Sequence, residues 1–514
     1  MKKNVDISIV GCGPVGATLA NLLADYNYEV AVIEKETEIY RAPRAVHLDD
    51  EVLRIFQAID ILKDLEKSIT PFRSMQFVSG SGKVLLETGM PADCKSYGHE
   101  PSNWFFQPHL EEILRDRFKQ FSHLHYYEGY EVKAIKEDDE STTLEATNHQ
   151  NNDELKITSK YLIGCDGSKS MVRKTMGVRY ESLDFDQPWM VVDTFLKSEK
   201  DAALLPAIHQ QICNPKRPTT YVPGVGKHRR FEFMLMEGET EESISHPTAI
   251  RDLIASHIDV DKLTIARSAV YTFHGLTVDR WRKGRLLLAG DSAHQMPPFA
   301  GQGMCSGIRD AHNLAFKLDL LLSGKTSESI LETYQMERKP HVAAISRGAI
   351  KMGKLIQTQN PVVGWMRNFQ FFLARHSTFI QEKIRDGIIK KIPYKKGLIG
   401  KNHLSGKLAI QPTVQKYNGQ NCLLDEILGN QFALIIKGKI GENEIANFRQ
   451  FTNGHTFLLG KDFSSAELSD WMEDNKIDFV IIRPDRYVFD AGKTQELNIT
   501  LRRLYQGLTQ NFNK

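Results

Sequence analysis

The feature that most constrains this chain is a glycine-rich turn in the segment IVGCGPVGATLA, residues 9–20. A β-rich run from Val5 to Val10 precedes the turn, and helical periodicity follows it from Pro14. A second β-rich run then ends at Glu34. Because Gly-x-Gly-x-x-Gly between a strand and a helix receives a pyrophosphate, this βαβ pattern predicts a Rossmann-type dinucleotide-binding unit.

The three glycines of this turn have separate physical tasks. Gly11 permits the tight turn, Gly13 lets a pyrophosphate approach the backbone, and Gly16 lets the helix pack closely on the strand. The helix N-terminus adds free N–H groups for the phosphates. Glu34 lies 18 residues after Gly16, where a carboxylate binds the adenosine ribose and disfavours a 2′-phosphate. The motif therefore predicts NAD or FAD rather than NADP, and its alternative is a structural glycine turn.

The same segment has a second interpretation as a lipoprotein signal, because Lys2 and Lys3 precede an apolar stretch that ends at Cys12. However, Asp6 and Ser8 interrupt that stretch, which falls short of the roughly 7–15 apolar residues that a signal peptide needs. The chain then continues into an apolar helix rather than a polar linker. Secretion is therefore disfavoured, and six scattered cysteines without a CxxC pair favour a cytoplasmic location.

The overall composition argues against several other classes of protein. Lys and Arg number 66 against 64 Asp and Glu, so no basic excess indicates a nucleic-acid partner. No run of about 18 uncharged apolar residues occurs, so no spanning helix and no membrane partner are expected, with peripheral contact through residues 362–380 as the alternative. The nearest candidate, residues 362–380, contains Arg367 and Arg375 and is interpreted as an amphipathic helix that packs on the protein. No metal site is expected either.

Two later motifs distinguish FAD from NAD. In YLIGCDGSKSMVR, Asp166 follows a β-rich run, and in GRLLLAGDSAHQMPPFAGQGMCSGIRDAHNL, Asp291 follows another. A carboxylate at the end of a strand accepts hydrogen bonds from the hydroxyls of a ribityl chain. A helix that begins near Gly301 and Gly303 directs its N–H groups at a reduced, anionic flavin. The three motifs in this order predict FAD, although Asp166 has the alternative role of capping a turn.

These three motifs together resemble those of the FAD-dependent aromatic hydroxylases, the single-component flavoprotein monooxygenases. RAPRAVHLDDEVLR, FQPHLEEIL and PTTYVPGVGKHRRFEFML resemble the 3-(3-hydroxyphenyl)propionate hydroxylase branch. The resemblance implies that Arg44 and Gln107 contact the pyrophosphate–ribityl region and that Pro298 lies beside the oxygen-reacting edge of the flavin. It also implies a ribityl contact for Asp291 and a place for Asp166 in the motif shared by FAD and NAD(P)H. Arg44 as a surface arginine and Gln107 as an organiser of its helix start are the alternatives.

The activity that this resemblance implies is the hydroxylation of a phenolic aromatic acid. NADH or NADPH reduces the flavin, O2 adds to form a C4a-hydroperoxide, and one oxygen atom is transferred to the ring. His47 and Tyr221 are candidates for favouring the phenolate, with an interior histidine and ordinary sheet packing as the alternatives. Arg217, Arg229 and Arg230 are candidates for binding a substrate carboxylate, unless they are solvated charges.

The fold class expected is α/β: a Rossmann-type FAD-binding domain, an inserted mostly antiparallel-sheet substrate domain, and a C-terminal α/β domain that resembles the thioredoxin-like C-terminal domain of the same hydroxylases. Residues 1–180 and 271–390 are assigned to the FAD-binding domain with its helical extension, and 181–270 to the substrate domain. After a basic linker at 390–407, residues 408–514 form the C-terminal domain. Because this last part has no CxxC pair, we expect it to serve structure or homodimer formation.

Two functional alternatives remain open from the sequence. In the first, an enzyme with the same fold acts on a polyketide, an antibiotic or another substrate that is not a phenolic acid. In the other, the chain is a flavin-binding redox sensor without turnover. A small-molecule aromatic substrate is the partner expected for the hydroxylase.

Overall fold

A parallel sheet carries the glycine-rich turn at the carboxyl end of its first strand. The structure, a computed structural model, describes residues 1–89, 95–389 and 391–509. In spatial order, the parallel strands of this sheet are Leu286–Leu288, Glu154–Gly164, Lys2–Val10, Val30–Glu34 and Leu124–Glu128. The antiparallel strands at its margins are Arg282–Lys283, Thr142–Asn148 and Tyr130–Glu137. This order of strands gives the Rossmann-type unit that the sequence predicts.

The central strands of this sheet are apolar on both faces, as expected of parallel strands that are covered on both sides. Val30–Glu34 is buried along its whole length, and the helix Pro14–Asp25 packs against both the sheet and the long helix Gly303–Leu322. The other α-helices of this part of the chain are Asp50–Ala58, Leu62–Leu65, Gln107–Arg117 and Met171–Met176. The resulting core holds the glycine-rich turn rigidly at the sheet edge.

A second, mostly antiparallel sheet lies beside the first. Its strands in spatial order are His294–Gln295, Leu263–Val278, Tyr180–Leu196, His228–Met234, Thr219–Val222, His209–Ile212, Ser74–Val78 and Val84–Gly89. Among the pairings of this sheet, His209–Ile212 with Ser74–Val78 is parallel. The helices Glu241–Ile244 and Pro247–Ala255 contribute apolar residues to the core on one face. The sheet therefore also takes two strands from residues 74–89, while the domain boundaries remain a prediction.

The chain then continues through the helices Ile330–Ile356, Pro361–Arg375 and Thr378–Ile389. The helix Pro361–Arg375 buries one narrow stripe, formed by Gly364, Arg367, Phe371 and Ala374. Its other side leaves large apolar side chains accessible, with Trp365 at 68% and Phe372 at 55% exposure. In the ranges that the structure describes, no helix combines the length and apolar character required to cross a bilayer.

The C-terminal part forms a separate mixed sheet. Its strands are Ala433–Ile436, His455–Leu458, Phe479–Ile482 and Val488–Gly492, in the spatial order second, first, third, fourth. The first two run parallel and the third is antiparallel to the first, as in the thioredoxin fold. The remaining elements are the strands Thr413–Lys416, Asn421–Leu423 and Phe463–Ser464 and the helices Leu424–Leu428, Glu442–Thr452, Ala466–Asp474 and Leu497–Thr509.

Candidate active site

A cavity of about 710 Å³ opens between the two large sheets. The glycine-rich turn contributes Gly13 to its wall, and the segment between the strand ending at Leu288 and the helix starting at Gly303 contributes Asp291 and Pro298. The second sheet contributes residues such as Thr220 from the opposite side. The fold therefore brings three distant stretches of sequence to one site, as expected for a ligand bound at a domain interface.

The glycine-rich turn has the geometry that its three glycines predict. Gly11 has a φ of +98°, and a Cβ there would lie 2.5 Å from the carbonyl oxygen of Cys165. A Cβ on Gly16 would collide with the carbonyl oxygen of Gly11, whereas a Cβ on Gly13 would meet no atom within 4 Å. The backbone at Gly13 is thus open to the cavity. Glu34 fixes the backbone of the turn, because its Oε2 accepts a 2.6 Å hydrogen bond from the Cys12 N–H.

Asp291 differs from the other candidate carboxylates because it has no hydrogen-bond partner in the part of the chain that the structure describes. Its side chain is accessible and lines the cavity. The surrounding protein raises the pKa of this carboxyl group by desolvation, although His294 and Arg44 oppose the shift. An accessible carboxylate without a protein donor is suited to accept hydrogen bonds from a ligand.

Asp166 has a different environment, since its carboxylate organises the start of the helix Met171–Met176. It accepts hydrogen bonds from Ser170 Oγ at 2.5 Å, Met171 N at 2.6 Å and Val172 N at 3.2 Å. Its neighbours Cys165 and Gly167 line the cavity. The structure therefore gives Asp166 the capping contacts that were the alternative to a ligand role, and its direct contact with a cofactor remains a prediction.

Arg44 and Gln107 meet at the rim of the same cavity. Gln107 Oε1 accepts hydrogen bonds from the backbone N–H groups of Arg44 at 3.0 Å and Ala45 at 2.7 Å, and its Nε2 donates to Glu111. Gln107 therefore fixes the backbone that carries Arg44. The Arg44 guanidinium lies 5.2 Å from the ring centre of Tyr40 and has no carboxylate partner among the described residues.

The loop before the long helix closes the cavity from the side of the first sheet. Pro298 lies in a short 3₁₀ turn, Pro298–Ala300, and lines the cavity. Gly301 follows with a φ of +62°, and a Cβ there would lie 2.9 Å from His47. The helix starts at Gly303, with Gln302 as its N-cap residue. The first N–H groups of this helix therefore lie at the cavity wall, where they favour negative charge.

His47 lies deeper in the cavity and has partners on both ring nitrogens. Its Nδ1 is 3.2 Å from the carbonyl oxygen of Gly301, and its Nε2 is 3.1 Å from Ser102 Oγ. Because a carbonyl oxygen accepts only, Nδ1 carries the proton and Nε2 accepts from Ser102. Burial lowers the pKa of His47, so the ring is neutral near pH 7. Phe72 and Trp104, with ring centres 4.4 Å apart, form an aromatic wall beside it.

The second sheet supplies a further polar row to the cavity. Thr220 Oγ1 donates to Gln211 Oε1 at 2.8 Å, and Gln211 Nε2 lies 2.8 Å from His209 Nε2. Burial and the neighbouring His47 lower the pKa of His209 to about 3. Tyr221 is not brought to this row, because side chains alternate across the strand Thr219–Val222 and its ring is buried in the core on the opposite face.

The three arginines considered as carboxylate ligands all have protein partners. Arg217 pairs with Glu239 at 2.5 Å, and Arg229 donates to the backbone carbonyls of residues 223, 226 and 228. Arg230 lines the cavity, but its Nε donates to Asp193 at 2.8 Å. These side chains therefore organise the second sheet.

Similarity to known proteins identifies the family. Residues 4–349 match the family model described as FAD binding domain. The chain is 31% identical over 536 residues to the 3-(3-hydroxy-phenyl)propionate/3-hydroxycinnamic acid hydroxylase of Escherichia coli, covering 98% of this chain and 95% of that relative. The chain belongs to the FAD-dependent aromatic hydroxylases. The resemblance and the FAD cofactor predicted from the sequence are thereby confirmed.

Other relatives and solved structures also align with nearly the full length of this hydroxylase. It is 32% identical over 507 residues to the probable NADH-specific resorcinol 4-hydroxylase of Rhodococcus jostii, covering 96% of this chain and 93% of that relative. Residues 406–451 and 461–507 match the HcaD C-terminal domain. The flavin-dependent monooxygenase PieE, solved with FAD and substrate, superposes with a TM-score of 0.84 at 20% identity, covering 98% of this chain and 99% of that chain. Aklavinone-11 hydroxylase gives 0.81 at 18% identity, covering 98% and 99%. These structures confirm the fold.

The cavity of this hydroxylase fits FAD on its own observations. The open backbone at Gly13 and the guanidinium of Arg44 complement a pyrophosphate, and the accessible carboxylate of Asp291 complements ribityl hydroxyls. Sequence reasoning missed Ser102, Gln211 and other polar residues of the cavity. Ser102 carried no signal of its own, since its role depends on pairing between the strands His47–Asp49 and Ser102–Trp104.

Proposed function

We propose that this hydroxylase adds one oxygen atom from O2 to the ring of a phenol. The observation that carries the proposal is the pair formed by His47 and Ser102 beside the aromatic wall of the cavity. Ser102 donates to His47 Nε2, so the lone pairs of its oxygen are left to accept a hydrogen bond from a phenolic hydroxyl. A buried, neutral histidine behind a serine is suited to draw a proton away from that hydroxyl.

The residues that would hold FAD are Gly13, Arg44, Asp291 and the backbone around Gly301 and Gly303. When bound and reduced by a nicotinamide, FAD supplies the activation of O2 and the transfer of one oxygen atom. The protein contributes the exclusion of water, since Phe72, Trp104 and Pro298 line the cavity. Pro298 stays a proposed neighbour of the reacting edge, and Glu34 a proposed ligand of the adenosine ribose.

The proton path runs from the substrate into the protein. The phenolic hydroxyl donates to Ser102 Oγ while Ser102 donates to His47 Nε2, and a proton received at Nε2 is stabilised by the Nδ1–H bond to Gly301. A phenolate ring is more electron-rich than a phenol ring, so proton withdrawal promotes attack by the ring. Because Tyr221 lies on the other face of its strand, we assign this role to His47 and Ser102.

The first candidate substrate is a phenolic acid such as 3-(3-hydroxyphenyl)propionate, by analogy with the Escherichia coli relative. Such a substrate needs a cation for its carboxylate. Arg73 is the best candidate, because its side chain is 53% exposed at the cavity and its partner Glu100 also binds Lys95 at 3.1 Å. Glu100 would keep one cation if Arg73 turned towards a carboxylate.

A specific observation favours a second candidate, a neutral phenol such as resorcinol. The other cations that line the described cavity, apart from Arg44, are bound to carboxylates. Arg230 pairs with Asp193, Arg309 with Glu51, and Lys391 with Asp50. A neutral ring needs no such cation, and the relative from Rhodococcus jostii is named as a resorcinol hydroxylase.

A substrate panel in the holoenzyme tests the proposal and separates the two candidates. Product formation is identified by mass and compared with NADH consumption, using 3-(3-hydroxyphenyl)propionate, resorcinol and a non-phenolic analogue. For an acid substrate, Arg73→Met raises KM about tenfold or more, whereas Lys95→Met, which loses the same partner Glu100, has little effect. For a neutral substrate, both variants behave like the parent. Failure of every phenol to yield a hydroxylated product would contradict the proposal.

The remaining features are proposals of the same kind. We propose NADH as the electron donor, since a relative is named as NADH-specific. We retain the boundaries 1–180 with 271–390, 181–270 and 408–514, a cytoplasmic location and a homodimeric assembly. Kinetics with NADH against NADPH and the mass of the holoenzyme in solution test the donor and the assembly.

A further inference from the structure

A chain of buried hydrogen bonds connects the C-terminal domain to the wall of the cofactor cavity. It starts at Tyr487, which lies just before the last strand of the C-terminal sheet and is 1% exposed. The Tyr487 hydroxyl donates to Glu51 Oε1 at 2.9 Å, and Glu51 Oε2 accepts from Arg309 Nε at 2.6 Å. Arg309 Nη1 then donates to Gln302 Oε1 at 3.0 Å. Gln302 lines the cavity at the start of the long helix.

Arg309 is held from three directions, so it acts as a rigid link. Its Nε and Nη1 bind Glu51 and Gln302, and its Nη2 donates to Asp49. Asp49 is itself fixed, because its Oδ1 caps the helix Asp50–Ala58 by accepting from Val52 N at 3.1 Å. A buried guanidinium held by three hydrogen bonds to different side chains has little freedom to move.

This link also decides the orientation of the Gln302 amide. A guanidinium only donates hydrogen bonds, so the side-chain oxygen of Gln302 must face Arg309. The NH2 group of Gln302 is then the end left for the cavity, and it has no acceptor among the residues that the structure describes. Arg309 therefore presents an N–H donor in the region where the first N–H groups of the helix also lie.

We propose that Tyr487 is a positioning residue for the FAD site: through Glu51 and Arg309, it holds the Gln302 amide with its NH2 group towards the cofactor. This assigns the C-terminal domain a role in setting the properties of the flavin. An N–H donor stabilises a reduced flavin more than an oxidised one, because reduction adds negative charge. The proposal rests on FAD binding and is independent of which phenol is the substrate.

The test compares Tyr487→Phe with Tyr394→Phe in the full-length holoenzyme. The two rings stack with centres 4.0 Å apart, but the Tyr394 hydroxyl faces Arg338 at 3.4 Å and not Glu51. Tyr487→Phe is expected to weaken FAD binding about threefold and to lower the midpoint potential of the bound flavin. Tyr394→Phe is expected to change neither. A midpoint potential unchanged by Tyr487→Phe would overturn the proposal.

A double-mutant cycle shows whether the effect passes through Gln302. Gln302→Met removes the amide, so Tyr487→Phe should cause no further change of the midpoint potential in that background. If the shift persists there, Tyr487 acts by another route and the proposal fails. If Tyr487→Phe does not give folded holoenzyme, Glu51→Met removes both acceptors of the next link, and the midpoint potentials of Glu51→Met with and without Gln302→Met are compared in the same way.

Discussion

Some charged side chains of the cofactor cavity lack salt bridges, whereas buried ones at the interface with the C-terminal domain are paired. At the cavity, neither Asp291 nor Arg44 forms a salt bridge with a described residue, although Arg44 is close enough to act on Asp291 electrostatically. At the interface, Arg483 is fully buried yet bound to Glu337 at 2.7 Å and Asp485 at 2.6 Å. A charge without a protein partner is available to a ligand, whereas a paired buried charge fixes the positions of the elements that carry it.

The largest effect is expected where a paired charge is broken. Arg483→Met leaves Glu337 and Asp485 buried without this cation, although Lys317 still binds Glu337 at 2.7 Å. We expect a loss of about 3–5 kcal/mol in the free energy of unfolding, measured by chemical denaturation. The control Arg251→Met breaks the exposed pair with Asp261 and should cost less than about 1 kcal/mol. Equal losses in both variants would show that burial of the pair does not set its contribution to stability.

The second effect concerns the unpaired carboxylate of the cavity. Asp291→Ala removes the proposed acceptor of the ribityl hydroxyls, so FAD affinity should fall about 30-fold or more while the chain stays folded. Flavin fluorescence on titration of the apoprotein measures the affinity, and circular dichroism measures the fold. Asp470→Ala, at an exposed position of the helix Ala466–Asp474, serves as the control. A fully loaded, yellow Asp291→Ala protein would remove Asp291 from the FAD site.

The third effect tests the proton path. Ser102→Ala should lower product formation about 10- to 100-fold near pH 7 and leave FAD binding intact, because it removes the link between the phenol and His47. Ser74→Ala is the matched control, since Ser74 lines the same cavity without a bond to His47. Rapid-reaction kinetics separates flavin reduction, which should be unchanged, from hydroxylation. A normal rate of hydroxylation in Ser102→Ala would exclude the path.

The last effect concerns Glu232, which lines the cavity and lies 3.9 Å from Arg230, so it falls between the unpaired and the closely paired charges. Burial raises the pKa of Glu232 from 4.5 to about 7. Below pH 4.5 both folded and unfolded chains are protonated there, and as pH rises towards 7 the unfolded chain loses its proton first. The free energy of unfolding therefore falls as pH rises through this range. Thermal unfolding of the parent and Glu232→Gln should diverge between pH 5 and 8, and a constant difference would contradict the shift.

Much of the fold, and the part of the site that binds the dinucleotide, could be predicted from short stretches of sequence. The glycine turn, the strand ending at Glu34 and the helix starting at Gly303 are short-range features, because each depends on residues that are neighbours in the chain. The face of the strand on which the Tyr221 side chain lies could not be predicted in the same way. Its strand is buried on both sides, so no alternation of polar and apolar residues indicates which side chains meet the cavity.

Long-range contacts decided the rest of the site. Ser102 meets His47 only because their strands pair, and Tyr487 reaches Glu51 across 436 positions of sequence. Such partners leave no periodic pattern or short motif, since a hydrogen bond depends on three-dimensional distance and direction. The same holds for Arg230, whose charge is visible in the sequence while its partner Asp193 lies on another strand.

The sequence by itself thus determined the α/β fold class, the family and the FAD cofactor, because these depend on backbone geometry encoded by local glycines, carboxylates and apolar runs. The tertiary structure decided which charges are available to ligands. Asp291 and Asp166 both follow strands in the sequence, yet the fold gives Asp166 three protein donors and leaves Asp291 accessible in the cavity. That difference is set by what packs around each carboxylate.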